Sequence, residues 1–506
     1  MSRPAHKHQV AVIGGGVGGL TCAALLAHAG LAVTVFEKNE HVGGKLNWLE
    51  EGGYTWDTGP SLLTMPYVFE RLWERLGRRL EDDLTVVPLP VTCRYRWTDG
   101  TVVDEDAAFW ERRDVARFLR YARGLYDLSA DAFLHHPLDE WWRQLRWRNV
   151  PKLRHLPKIA SFRTMDTVVR RFFRRDPHLV QLFDRFATYN GSSPYATPAA
   201  FNIIPYVEAK FGGWYIQGGM YNLARALEKI CRDLGVRVLT GCEVQALGGI
   251  DGYHLQTNAE RTGPFDTVVC NQDVLSAYPR LLPGHPWTAP KKAEPSISAF
   301  LMYLGVEKEF PQLSHHNIFF SDDYPGEFRQ LFTERRPADE PTIYVAVHSK
   351  ADPTRAPAGA ENWFVLVNAP ALTADGRVDW PAMAGHYGDR VIERLETRFG
   401  CAGLRDAVRV RRQFTPADFE TRYLANAGSL YGLASHGVGA AFQRPALQPR
   451  GLKDFYFVGG STHPGGGLPL VCLSGQNVAD KILRRFRKSG RTKSEVSSLF
   501  AAPRTR

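Results

Sequence analysis

The chain opens with a pattern of apolar and glycine positions that predicts a βαβ unit. Residues 10–13 form an uninterrupted apolar run, and the six residues that follow are glycine except for Val17. An Ala- and Leu-rich stretch then extends to His28, and a second apolar run, Ala32–Phe36, ends at Glu37. Continuous apolar runs are typical of strands buried on both faces, and the stretch between them has the composition of a helix. The order strand, tight turn, helix, strand is that of a nucleotide-binding unit.

Further elements of nucleotide-domain type are predicted later in the chain, and segments of a different kind separate them. Residues 110–190 have helical character, with Arg and Trp clusters, and are broken by Pro137, Pro151 and Pro157. Apolar runs between residues 296 and 367 are typical of a mostly antiparallel sheet. Elements of nucleotide-domain type are predicted around these regions: a helix at about 221–234, strands at 236–239, 267–270 and 455–458, and a closing helix at about 474–486.

We expect an α/β fold in which a Rossmann-like nucleotide domain is discontinuous in sequence. An α+β substrate domain is inserted into it, and it combines the mostly antiparallel sheet with a helical part at 110–190. The expected segments are 1–75, 215–290 and 445–488 for the nucleotide domain, 76–214 and 291–444 for the substrate domain, and 489–506 for a disordered basic tail.

The composition agrees with a folded protein of two domains. Of the 506 residues, 44% are hydrophobic and 23% are charged, which suffices for two sizeable cores. The seven cysteines are scattered and never spaced as Cys-x-x-Cys, so we expect neither a metal site nor a disulfide framework. A reducing, cytoplasmic compartment fits this pattern. No stretch approaches about 18 uninterrupted apolar residues, so we expect no membrane span.

The positive charge is concentrated in two regions. Residues 111–190 contain 17 Lys and Arg against 9 Asp and Glu, and residues 481–506 contain 9 against 1, within a net charge of +10. A basic surface can bind nucleic acid or anionic lipid, or can serve solubility. Because no nucleic-acid-binding module is recognisable, we expect lipid rather than nucleic acid as the partner.

The glycine turn and Glu37 together predict dinucleotide binding. Gly14 permits the turn, Gly16 lets the backbone approach a pyrophosphate, and Gly19 allows close packing of helix and strand. The phosphates are expected at the helix N-terminus. Glu37 ends the second strand, where a carboxylate accepts hydrogen bonds from ribose hydroxyls and disfavours a 2′-phosphate. A glycine turn alone can also bind nothing, but here the strand, the helix and the acid are in register.

Two segments after Glu37 carry the distinction between FAD and NAD. Residues 38–45 include Gly-Gly-Lys, and residues 53–61 include Asp-Thr-Gly-Pro-Ser. Both resemble the phytoene desaturase family, which belongs to the FAD-dependent amine oxidase superfamily. The resemblance covers almost the whole chain, because it continues in residues 191–195, 211–221 and 461–469.

The resemblance implies FAD as the cofactor and assigns its contacts. Beyond the glycine turn and Glu37, these contacts are Lys38, Gly44, Lys45, Gly59, Pro60, Ser61, Val244, Asn271, Gly460, Ser461, Gly467, Leu468 and Pro469. In that family the glycine-rich segment near the C-terminus passes the flat flavin ring, which suits glycine because it has no side chain. This sequence departs at two positions: Gln272 replaces a small residue, and Gly460-Ser461 stand where many relatives place an Asp.

The resemblance further implies desaturation of a carotenoid or of a precursor such as phytoene. In this chemistry a saturated carbon-carbon bond loses a hydride to the oxidised flavin and a proton to a neighbouring acceptor. The sequence identifies no catalytic acid or base, and the final electron acceptor is oxygen or a quinone. Because polyenes dissolve in bilayers, we expect peripheral membrane attachment through the Arg-, Trp- and Phe-rich residues 141–173. The alternative for that segment is an ordinary solvated basic face.

Three other functions stay open from the residues. Within the family, the chain could be a desaturase of hydroxylated, methoxylated or shorter polyenes, or a carotenoid ketolase, terminal oxidase or isomerase. An amine oxidase is a second alternative, although no paired aromatic residues in the C-terminal motif indicate a site for an amine. A flavin-free protein that binds prenylated partners is the third, which the intact glycines at 14, 16, 19, 44 and 59 disfavour.

Overall fold

The computed structural model describes residues 7–134, 162–249, 251–287, 289, 294–437, 440 and 444–488. In these residues the strands are β1 (Gln9–Ile13), β2 (Ala32–Phe36), β3 (Trp48–Glu51), β4 (Tyr54–Asp57), β5 (Val86–Pro88), β6 (Arg94–Arg96), β7 (Val102–Asp104), β8 (Trp214–Ile216), β9 (Arg237–Leu239), β10 (Val244–Gly248), β11 (Tyr253–Thr257), β12 (Arg261–Phe265), β13 (Thr267–Cys270), β14 (Ser298–Val306), β15 (His316–Phe319), β16 (Ile343–Val347), β17 (Glu361–Ala369), β18 (Val408–Phe414) and β19 (Phe455–Phe457). The α-helices of the same residues are α1 (Val17–His28), α2 (Tyr67–Arg75), α3 (Ala107–Glu111), α4 (Arg113–Leu134), α5 (Met165–Phe173), α6 (Pro177–Asp184), α7 (Ile203–Phe211), α8 (Asn222–Asp233), α9 (Val274–Leu281), α10 (Tyr324–Arg329), α11 (Trp380–Phe399), α12 (Leu404–Ala407), α13 (Pro416–Tyr423) and α14 (Leu468–Lys488).

The first sheet is assembled from strands that are far apart in the sequence. Among the described residues its order is β19-β13-β1-β2-β9, and every neighbouring pair is parallel. β1 is central, so that Val12 pairs with Val35 on one side and with Val269 on the other. Because parallel strands share one direction, their carboxyl ends meet at the same edge, where Gly14 and Glu37 follow β1 and β2. The predicted α/β fold with a Rossmann-like sheet is confirmed.

The second sheet is packed on both faces, and part of one face lines a cavity. In the described chain it has the order β18-β14-β17-β16-β15-β6-β7, and its neighbours are antiparallel except for β15 and β6. Side chains alternate along β14: Phe300 stacks on Trp380 of α11, whereas Leu301 packs on the opposite side with Phe364. The predicted mostly antiparallel sheet is confirmed. Part of the face that carries Leu301 lines a cavity.

The described helices of residues 110–190 enclose an aromatic core. Phe118 of α4 contacts Phe173 of α5 and Phe183 of α6, with ring centroids 5.5 and 4.7 Å apart. These three rings are buried, whereas Phe162 is 84% exposed. The Trp-containing clusters of this region lie outside the described residues, so the structure does not test them as a membrane-facing entrance. In the part of the chain that the structure describes, every helix is too short or too polar to cross a membrane.

The closing helix begins earlier than the sequence predicts. α14 starts at Leu468, whereas the sequence places the start near Ser474. The glycines before Leu468 and the proline at 469 favour a loop, but proline is tolerated in the first turn of a helix, where its missing N–H would have no partner. The helix therefore starts directly at the glycine-rich segment that is expected beside the flavin. The predicted domain boundaries stay predictions.

Candidate active site

A cavity of about 1070 Å³ lies at the carboxyl edge of the parallel sheet. It reaches the face of the antiparallel sheet that carries Leu301. The predicted cofactor residues that line it are Gly14, Gly16, Glu37, Lys38, Gly44, Lys45, Gly59, Pro60, Ser61, Val244, Asn271, Gly460, Ser461, Gly467, Leu468 and Pro469. Gly19 is the predicted residue that does not line the cavity. The fold thus brings residues 14–61 and residues 460–469 to the same cavity. The contact of each residue with the cofactor stays a prediction.

The glycine turn packs backbone against backbone. Gly14 has a φ of +96°, which favours glycine, and its N–H donates to the Phe36 carbonyl at 2.8 Å. A Cβ at Gly19 would overlap the Gly14 carbonyl oxygen, which agrees with the packing role expected of Gly19. α1 begins after Gly16, and in the described chain no side chain caps it. Its first N–H groups therefore suit the oxygens of a pyrophosphate.

Glu37 fixes the end of β2 against this turn. It is 4% exposed, and burial raises its pKa above the usual range. Its carboxylate accepts hydrogen bonds from the backbone N–H of Gly15 at 2.7 Å and of Asn39 at 2.8 Å. A carboxylate has about four acceptor positions, so Glu37 can also accept from a ribose.

Two cations line the cavity, Arg444, which is buried, and Lys45, which is half-buried. Lys45 Nζ donates to the Leu430 carbonyl at 2.6 Å, and burial lowers its pKa to about 8 although Asp273 opposes this shift. Arg444 Nη1 donates to the Gly460 carbonyl at 3.0 Å, and burial lowers its pKa to about 10. Among the described residues, no carboxylate forms an ion pair with either cation. Both suit an anionic group such as a pyrophosphate. Arg444 was not predicted, because a lone arginine between motifs carries no signal of burial.

Ser461, which departs from the family pattern, and Asn271, which matches it, both support the backbone around the cavity. Ser461 Oγ accepts from the Val274 N–H at 3.0 Å and so caps the start of α9. The Asn271 amide, oriented so that both of its polar atoms have partners, accepts from the Gly16 N–H and donates to the Val458 carbonyl, both at 3.2 Å. A Cβ at Gly467 would meet no atom within 4 Å, so this glycine faces open space beside the cavity. That this space holds the flavin ring stays a prediction.

A hydrogen-bonded chain of side chains enters the cavity from the antiparallel sheet. The Ser61 hydroxyl lies 2.5 Å from the Tyr344 hydroxyl, which lies 2.8 Å from His316 Nδ1. His316 is 2% exposed, and burial lowers its pKa well below the usual range, so the ring is neutral. Its Nε2 has no hydrogen-bond partner within the described residues. Tyr344 and His316 were missed from the sequence, although the pair His315-His316 beside a strand was a usable signal.

Much of the remaining wall is apolar. The side chains that form it come from the segment before α2, from α7 and the residues before it, and from β14, β17 and the residue before β14. They include Leu62, Met65, Phe201, Ile204, Val207, Ile297, Leu301, Phe364 and Leu366. A mostly apolar wall with few polar groups is typical of a pocket for a hydrophobic molecule. The predicted cofactor residues and the apolar wall line the same cavity, so a cofactor and an apolar substrate can meet in it.

Comparison with known proteins identifies the family. Residues 17–483 match the family of flavin containing amine oxidoreductases. The chain belongs to this family. It is an FAD-dependent oxidoreductase, so the predicted superfamily, cofactor and enzyme class are confirmed.

The chain is also similar to individual proteins over almost its whole length. It is 38% identical to the 4,4'-diapolycopene oxygenase of Methylomonas sp, over 94% of this chain and 98% of that protein. It is 34% identical to the 4,4'-diaponeurosporene oxygenase of Staphylococcus aureus (strain USA300), over 96% of this chain and 99% of that protein. A solved putrescine oxidase with bound putrescine shares the fold at 14% identity, with a TM-score of 0.62 over 95% of this chain and 100% of that chain.

The variant Gly19→Ala tests the glycine turn. We expect it to lose most of its bound flavin, because the added Cβ overlaps the Gly14 carbonyl oxygen and pushes α1 away from β1. The ratio of flavin to protein absorbance measures this loss. Gly124→Ala is the matched control, since a Cβ at this position in α4 meets no atom within 4 Å and alanine favours a helix. Full flavin content in Gly19→Ala would contradict the assignment.

Proposed function

We propose that this chain is an enzyme of carotenoid biosynthesis that oxidises the end group of an acyclic, apolar polyene. The observation that carries the proposal is the single cavity, in which the predicted flavin contacts and an apolar wall face each other. The relatives at 38% and 34% identity are named as oxygenases of diapolycopene and diaponeurosporene, which supports both the polyene and the oxygenation.

The apolar wall is expected to orient the polyene and to exclude water. Burial of a long hydrocarbon against Met65, Phe201, Ile204 and Val207 removes its surface from water, which favours binding without any polar contact along its length. Bound FAD would accept the two electrons of an oxidation step, and dioxygen or water would supply the oxygen atom that the end group gains. The protein contributes the position of the reacting end and a dry environment around it.

The chain from Ser61 through Tyr344 to His316 favours an oxygen-bearing product. When the Tyr344 hydroxyl donates to His316 Nδ1, the proton of the neutral ring stays on Nε2. This Nε2–H is buried and has no partner among the described residues, so an oxygen atom on the polyene would pair with it once the ring turns toward the cavity. A hydrocarbon product would leave the donor unpaired in an apolar cavity, which costs free energy.

Desaturation, which the sequence predicts through its family resemblance, is the second candidate. It needs the same cofactor and the same apolar cavity, so the geometry of the wall does not distinguish it from oxygenation. The names of the two relatives and the unpaired His316 donor favour oxygenation. Oxygen or a quinone as the final electron acceptor stays a prediction, as does the absence of a nucleic-acid partner.

Product analysis in bacteria that accumulate 4,4'-diapolycopene or phytoene tests the proposal. We expect a more polar pigment from 4,4'-diapolycopene, whose mass changes by the gain of oxygen, because an end group is oxidised. Loss of hydrogen without gain of oxygen would support desaturation instead. Gly19→Ala, expected to lack flavin, is the negative control. A wild-type protein that binds flavin and leaves both polyenes unchanged would contradict the proposal.

We also propose that the enzyme attaches to anionic membranes through a basic face of its helical part, residues 110–190. Exposed arginines of this face in the described residues include Arg171, Arg174 and Arg175. Their reversal to Glu should reduce sedimentation with vesicles that contain phosphatidylglycerol, because each lost cation weakens attraction to the lipid surface. The control is the same reversal at Arg377, Arg398 and Arg409, which are also exposed. Equal binding by both triple variants would contradict this face as the attachment site.

A further inference from the structure

A buried cluster of charges interrupts the apolar wall of the cavity. Arg185, directly after α6, and Glu208 of α7 both line the cavity and are 7% and 3% exposed. Arg185 Nη2 lies 3.8 Å from Glu208 Oε1 and 3.9 Å from Glu105 Oε2, and Glu105 is fully buried. Charged groups are rarely buried unless they are paired or have a function, so this cluster needs an explanation.

Aromatic residues hold the cluster in place. Arg185 Nη2 donates to the Tyr95 hydroxyl at 2.6 Å, and that hydroxyl donates to Glu105. The Tyr189 hydroxyl donates to Glu208 Oε2 at 2.8 Å. The Arg185 guanidinium also lies 4.5 Å from the centre of the Phe186 ring, a distance that allows a cation–π contact. The guanidinium is therefore fixed in position before any ligand enters.

The hydrogen-bonding capacity of Arg185 is incompletely used. A guanidinium has five N–H donors, and hydrogen-bonded ion pairs have N···O distances of about 2.7–2.9 Å. The two carboxylates are farther away than that, and Arg185 Nε has no hydrogen-bond partner among the described residues. Nε is itself buried, so the donors left for a ligand in the cavity are those of the Nη atoms, and a pure hydrocarbon offers them no acceptor.

The charge balance of the cluster leaves Arg185 as its donor toward a ligand. Burial, and then the neighbouring Glu208, raise the pKa of Glu105 well above its usual range, which favours its protonated form. One negative charge on the two carboxylates then balances one positive charge on Arg185. A neutral ligand with an acceptor oxygen fits this arrangement, whereas an added carboxylate would leave an excess of negative charge.

We propose that Arg185 binds the oxygen atom of a polyene end group, an aldehyde or a hydroxyl, and that Glu208 holds the guanidinium in place. The inference deepens the proposed function, on which it rests, because it adds partly oxidised polyenes to the substrates. The oxygen can belong to the end that reacts at the flavin or to the opposite end of the molecule. An oxygen atom at either end of the polyene would present the same acceptor to Arg185.

Equilibrium binding tests the inference without turnover. The probes are 4,4'-diapolycopene and its monoaldehyde, and quenching of tryptophan fluorescence in the purified flavoprotein reports binding. We expect the wild type to bind the aldehyde about tenfold more tightly than the hydrocarbon, since a site built for an oxygen atom discriminates against a ligand that lacks it. The variant Arg185→Met combined with Glu208→Gln should lose this preference. The double change avoids an unpaired buried charge.

The control variant removes a buried arginine elsewhere. Arg394, whose side chain is 10% exposed, is not among the residues that line the cavity, so Arg394→Met should keep the preference for the aldehyde. If the double variant loses its flavin, Arg185→Lys replaces it, because Lys keeps the charge and loses the planar fork. A wild type without preference, or an Arg185 variant that keeps it, would overturn the inference.

Turnover of the same probes separates the two sources of the oxygen. If Arg185 binds the opposite end, the double variant should oxidise the monoaldehyde more slowly relative to the hydrocarbon than the wild type does. If Arg185 binds the reacting end, the variant should accumulate a hydroxylated intermediate from the hydrocarbon. Preferential binding of the aldehyde without oxidation of either probe would sustain the inference and contradict the proposed function.

Discussion

The site depends on close backbone packing where three turns meet at the carboxyl edge of the parallel sheet. These turns follow β1, β13 and β19, and Asn271 links them through its bonds to Gly16 and Val458. A Cβ at Gly19 would overlap the Gly14 carbonyl oxygen, and a Cβ at Gly16 would lie 2.6 Å from the end of the Asn271 side chain, so this close packing depends on glycine. Because the strands are parallel, this packing occurs at one edge, and it leaves backbone N–H groups free to face a pyrophosphate.

The proposed function adds a second constraint, because one cavity must accommodate both the cofactor and the polyene. The cofactor edge offers backbone groups and the cations Lys45 and Arg444, whereas the substrate side offers the apolar face of the antiparallel sheet. The alternation along β14 makes this possible, since Phe300 fills the core against α11 while Leu301 faces the cavity. Polar side chains are therefore concentrated at a few positions along a largely apolar wall.

Much of the fold was predictable because its signals are local. The glycine turn, the helix to His28 and the acid at the end of β2 are adjacent in sequence, and burial on both faces gives parallel strands an uninterrupted apolar run. The start of α14 was predicted too late, because its glycines and proline favour a loop when read alone. Proline in a first helical turn costs little, and the sequence does not show where that turn begins.

The polar groups of the substrate side were not predictable from single residues. Arg185 lies in a segment whose charge suggests an exposed basic face, yet its side chain is buried against Tyr95, Glu105 and Glu208. His316 and Tyr344 belong to neighbouring strands whose pairing brings them together across 28 residues of sequence. Such contacts depend on long-range packing, and no periodicity in the sequence encodes them.

The central claim is that flavin and polyene lie together in one cavity. The most direct measurement is an anaerobic titration of the flavoprotein with phytoene, which does not absorb visible light, while the visible band of the flavin is recorded. Contact predicts that this band shifts or bleaches and saturates at one equivalent of polyene. An unchanged band, while tryptophan fluorescence shows that phytoene has bound, would place the polyene away from the flavin and contradict the account.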